Sequence, residues 1–126
     1  MKRFVFASAL FAGLICFNIF CLCVVSEIKS EATGKLDLLY ASVLEENFEK
    51  TLSECEKFTG YWLSEHHVLS QIVRHDLLDK TTVAVSGLVP LAQFHEYGAL
   101  ASEINRCKIL IEEIWDSEIP YLRNIF

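Results

Sequence analysis

FVFASALFAGLICFNIFCLCVV, residues Phe4 to Val25, is an unbroken apolar run with Lys2 and Arg3 directly ahead of it. It is about 22 residues long, and as a helix rising ~1.5 Å per residue it reaches roughly 33 Å, the depth of a bilayer's hydrocarbon core. Only Ser8 and Asn18 interrupt it, and neither carries a charge. A helix satisfies its own backbone hydrogen bonds, so such a run can sit in lipid without stranded polar groups. The cationic start favours the cytoplasmic side, which places the rest of the chain outside. The competing reading is a secretory signal peptide, whose apolar core usually spans about 7–15 residues. Val24-Val25-Ser26 would then be the cleavage site, and the product a secreted protein beginning near Ser26. The length of the run favours the uncleaved anchor. Cys16, Cys21 and Cys23 lack the small residues that precede a lipid-modified cysteine. A domain this small could hardly enclose a helix that is apolar all round.

The chain therefore divides into a cytoplasmic start and membrane anchor over 1–26, a polar segment over 27–35 read as a linker, with continuation of the helix as the alternative, and an extracytoplasmic domain over 36–126. About 100 residues is enough for one small domain. The formal net charge of the chain is -6, and with Lys2 and Arg3 set apart the outer part is near -8. Without a cluster of Lys and Arg, that part is a poor nucleic-acid binder, and no nucleic-acid partner is expected. Cys55 and Cys107 lie in the outer part, on apolar helix faces. They fit either one disulfide in an oxidising compartment or two buried thiols.

Hydrophobic periodicity outlines the domain. Leu36, Leu39, Tyr40 and Val43 mark a short amphipathic helix, and Asn47 is placed to cap the next. Phe48, Leu52, Cys55, Trp62, His66, Leu69 and Ile72 or Val73 form one stripe on a long helix expected to run to about His75. Trp62, in the middle of that stripe, is the leading core residue. Asp76 or Asp79 is expected to open the following helix by accepting backbone N–H bonds. Leu78, Val85, Leu88 and Ala92 make a second stripe. Thr81, Thr82, Val83, Val85, Gly87 and Pro90 all weaken a helix there, so a helix kinked near Pro90 is expected, with a strand over TTVAVSGLV as the alternative. Gly98 is suited to a helix end. Leu100, Ile104, Cys107, Ile111, Ile114 and Ile119 mark a last helix to about Ser117, ended or bent by Pro120. The expected fold is all-α, with the N-terminal transmembrane helix followed by an antiparallel three- to four-helix bundle.

Several of these residues, taken together, resemble a known family. Trp62 followed by His66-His67, then His75-Asp76-x-Leu78-Asp79, the last amphipathic helix and Asn124-Ile125, all behind an N-terminal apolar run, are similar to the bacterial domain of unknown function 4363 family. The resemblance covers nearly the full chain through loose helix-face patterns. It implies a short, single-pass, all-helical protein of Gram-positive, often spore-forming, bacteria, and it brings no activity or catalytic residue. This sequence departs from the family's highly charged helix between Asp79 and His95, which here is apolar and carries Pro90. A less regular helix is expected there.

The polar residues offer little chemistry. His75 and Asp79, four apart, could share a helix face and begin a metal site, and a membrane-held ligand or metal sensor using that region is the alternative function. The plainer reading makes Asp76 and Asp79 caps, sets His66 beside Trp62 and leaves His67 in solvent. His66 and His67 are adjacent and point apart, and His95 lies at the far end of its helix from His75. Cys55 and Cys107 lack an electropositive setting, no nucleophile turn or phosphate-binding glycine loop occurs, and neither an enzyme nor a cofactor is expected. Tyr61, Leu63, Val89, Leu91 and Trp115 are apolar yet off the main stripes. They motivate a scaffold or accessory role, with the bilayer and another membrane or envelope protein as partners and self-association open.

Overall fold

The apolar run is the first half of a single long helix. The structure, a computed structural model, describes the backbone over residues 1–125 and side chains over 1–117. It is all-helical, with no strand among the described residues, and its elements are α1 (Lys2–Leu44), α2 (Phe48–Ile72), α3 (His75–Ser86), α4 (Leu88–Gln93) and α5 (Tyr97–Ile125). Residues 27–35, expected as a linker or else as a continuation of the helix, continue α1 without a break. Glu27, Lys29, Glu31 and Lys35 are good helix formers. On the inner face Val25, Ile28, Ala32, Leu36, Leu39 and Val43 recur at helical spacing, and all are buried. The buried face of α1 thus reaches back to Val25, at the end of the apolar run.

Glu46 turns the chain after α1 with a left-handed φ of 56°. Asn47 then caps α2 as expected, its side chain accepting from the Lys50 backbone N–H at 3.2 Å. Cys55, Phe58, Trp62 and Leu69 of α2 are buried, while Phe48 and His66 sit half-buried at the stripe's edge. The helix stops at Ile72, because Val73 and Arg74 are extended, with ψ of 166° and 133°. Val73 is nonetheless buried. Arg74 occupies the cap position of α3 without a side-chain cap bond, so neither Asp76 nor Asp79 caps this helix. Asp76 instead lies in its first turn, where a negative charge favours the helix dipole.

The segment expected as one kinked helix is two helices, and the break falls at Gly87 rather than at Pro90. Pro90 sits in the first turn of α4, where its missing N–H costs no helical bond. Leu78, Val85, Leu88 and Ala92 are all buried. His95, at φ 57°, makes the turn into α5. Gly98 belongs to the start of α5 rather than to a helix end. Leu100, Ile104, Cys107, Leu110, Ile111 and Ile114 bury its inner face. Helix α5 runs through Pro120 to Ile125, so the proline does not end it, and the side chain of Ile119 lies outside the described ones.

Helix α1 packs on α2 and α5, and the α3–α4 pair packs on the same two from the other side. Among the described residues no Cα of α2 lies within 8 Å of one of α5. The core fills the space between these four sides. Trp62, 1% exposed, stands near its middle and donates from Nε1 to Thr82 Oγ1 at 3.0 Å, tying α2 to α3.

Candidate functional site

The histidine–aspartate region is a solvated helix start. His75, Asp76 and Asp79 are all exposed, and Asp76 pairs with Arg74 at 3.2 Å. Among the described residues no three His, Cys, Asp or Glu side chains converge on a point where they could hold a metal ion. His67 is exposed, and His66 is half-buried on the same turn as Leu69 and Trp62. His95 is at the opposite end of the domain, stacked on Phe48 with ring centroids 4.3 Å apart and edge-on to Tyr97 at 6.0 Å. The structure therefore does not bring the histidines together.

Cys55 and Cys107 are fully buried free thiols. A disulfide needs Cα atoms about 4.4–6.8 Å apart, and the separation of α2 from α5 exceeds that range. Burial pushes both thiols up to about 12, with Glu54 and Glu56 adding to the effect at Cys55 and Glu103 at Cys107. Neither thiol is poised to attack or to ligate.

The richer assembly is the seam where α1 leaves the apolar run. Lys29 of α1 places its ammonium 5.5 Å from the ring centroid of Trp115 on α5. One turn and a half further along α1, Lys35 lies 5.0 Å from the ring of Tyr61 on α2. The Tyr61 hydroxyl donates to Glu31 Oε2 at 3.4 Å, and burial together with Glu31, Glu65 and Glu27 raises its pKa. Beyond these, Lys108 of α5 pairs with Asp37 and approaches Tyr40 at 6.0 Å. Cation–π contacts of this kind stabilise by roughly 0.5–1 kcal/mol each at exposed sites. Together they grip the outer half of α1 from both sides. Trp115 also faces an open groove lined by Leu22, Cys23, Ser26, Glu27, Ser30 and Glu31. Sequence reasoning singled out Trp115 and Tyr61 but missed Lys29 and Lys35. Reading 27–35 as a linker hid them, although a helical register through that stretch would have put both beside aromatic rings.

Of the five off-stripe apolar residues, Tyr61, Val89, Leu91 and Trp115 are packed against the core. Only Leu63 is well exposed, at 57%. Larger exposures occur where periodicity did not point, at Phe94, Val83, Leu44 and Leu38.

The family described as domain of unknown function (DUF4363) matches residues 19–125, most of the chain. The chain belongs to the DUF4363 family. No curated protein and no solved structure matches it. The match to DUF4363 begins inside the apolar run, so the family unit takes in the outer end of that run together with the helical domain. In this DUF4363 protein the seam around Trp115 lies wholly within that unit.

Proposed function

We propose that this DUF4363 protein is a single-pass membrane protein, N-terminus cytoplasmic, whose outer antiparallel helical bundle acts as a scaffold or accessory module through contact with another membrane or envelope protein. The observation that carries the reading is the continuity of α1. Its first part is apolar and exposed from Phe4 to Phe20 apart from a half-shielded Ile15, and it is long and apolar enough to cross a bilayer. Its second part is the spine of the domain. A surface of exposed Phe and Leu side chains is costly in water and stabilised in lipid. Val24 packs against the core and Val25 is buried, so cleavage near Ser26 would strip residues from the packed domain, which favours an uncleaved anchor. Exposed apolar side chains outside the run, at Leu38, Leu44, Val83 and Phe94, support a role through contact.

The test is cross-linked co-purification of a C-terminally tagged copy from its native membrane, with the intact mass of the bait read in the same run. A stoichiometric membrane partner with the apolar run still attached is the expected result. A bait cut near Ser26 and free of partners would replace this reading with that of a secreted helical domain.

A further inference from the structure

Helices α1 and α5 run in opposite directions in a register fixed by two contacts. Lys108 meets Asp37, and Trp115 meets Lys29, so both helices advance about two turns between the pairs, one up and one down. Helix α5 then continues past Trp115 to Ile125, about 15 Å further at ~1.5 Å per residue. The same register brings its end level with α1 at around Ile19, inside the apolar run. The family match, residues 19–125, begins and ends at these two facing positions. Trp115 itself shares a groove with Leu22, Cys23 and Ser26, the residues at which the apolar run gives way to polar sequence. After Ser117 the sequence is EIPYLRNIF, with Ile119, Tyr121, Leu122, Ile125 and Phe126 outnumbering Glu118 and Arg123.

We propose that the C-terminal part of α5, from Trp115 onward, is a second membrane contact, lying beside α1 in the outer headgroup–acyl boundary of the bilayer. The inference rests on the membrane-anchor reading of α1. A tryptophan with a lysine against its ring is the residue pair that suits this boundary, since the indole has an apolar body and a polar edge while the lysine reaches headgroups. The boundary layer is roughly 5–8 Å deep on each side of a ~30 Å core, shallow enough for the stretch after Trp115 to cross it. The domain is acidic, so the attraction comes from apolar and aromatic burial and requires no anionic lipid.

The experiment uses the full chain in phosphatidylcholine vesicles carrying bromine at defined acyl depths, which quenches tryptophan only at close range. Trp62, in the core at the level of Glu31 and Lys35, serves as an unquenched internal reference. Shallow bromines should quench part of the wild-type emission, and Trp115→Phe should abolish that quenching. Trp115→Phe/Leu122→Trp should restore it, with deeper bromines now the more effective. Helix content by circular dichroism checks each variant, and if the double variant misfolds the comparison of wild type with Trp115→Phe still decides. Alkaline carbonate extraction of the same vesicles separates the two readings. Protein retained in the membrane without quenching of Trp115 overturns the second contact alone, and leaves the groove to water or to a protein partner. Protein released by carbonate overturns the anchor, and the second contact with it.

Discussion

Trp62 is the largest fully buried side chain among the described residues, and it is hydrogen-bonded across two helices. Trp62→Ala removes the ring and its bond to Thr82, whose hydroxyl still donates to the Leu78 carbonyl, so a loss of ~3–5 kcal/mol, mostly from the emptied core, is expected in denaturant titrations in mild detergent, against a smaller loss for Trp62→Phe. Cys55 and Cys107 make a second prediction through their protonation. Their ordinary value is 9.0 and the fold raises it to about 12, so above pH 9 the unfolded chain gives up protons that the folded chain keeps. Stability is therefore full below pH 9 and falls as pH rises toward 12. Cys55→Ala and Cys107→Ala should each flatten that alkaline decline relative to wild type. Near neutral pH both thiols should resist a maleimide until the chain is unfolded, and gels without reductant should show no bridge between them. The sequence left the disulfide open because two cysteines on apolar faces look the same whether or not their helices touch. Their helices do not.

At the scale of elements, α2 carries Gly60 in its interior with nothing within 4 Å of the place a β-carbon would occupy. Gly60→Ala should raise stability by ~0.4–1 kcal/mol, because alanine restricts the unfolded chain and clashes with nothing in the folded one. Asn47→Ala should do the reverse, costing about 1 kcal/mol through the lost cap. Both are read from denaturation midpoints. The elements also show what was legible. The α2 stripe through Trp62 and the α5 stripe through Ile111 were plain, because a helix buried on one face repeats its apolar residues every three or four positions. Breaks were less so. Val73–Arg74 and Gly87 interrupt the helices, and of these three residues only Gly87 is a strong helix breaker by type, one of six weak points along its stretch. Pro90 and Pro120 looked like breakers, yet one lies in a first turn and the other within α5. The outer half of α1 was hidden because Ile28 and Ala32 alone mark its inner face across 27–35. The site suffered most from this. Trp115 is out of pattern in the sequence, but its partner Lys29 sits in a stretch that reads equally as a linker or as more helix.

For the whole molecule, the decisive property is that the apolar run and the packed domain share one helix. Ser30→Pro would place a ring in the interior of α1, within the first turns of its packed part, at an expected cost of ~3 kcal/mol or more. The variant should stay in the membrane while its outer domain becomes more sensitive to protease, a result read from carbonate pellets and limited digestion. An intact α1 also sets distances. From Ser26 to Leu44 it rises roughly 28 Å. A domain on a flexible tether samples a volume and can find partners at many heights and angles. This one, on the anchor proposed above, stands as a mast of fixed height, carrying exposed Leu44 and Phe94. Its search is confined to rotation and drift in the plane of the bilayer. The proposed partner would have to present its matching surface within that thin layer, and the orientational entropy that binding would otherwise take away has already been given up in the fold.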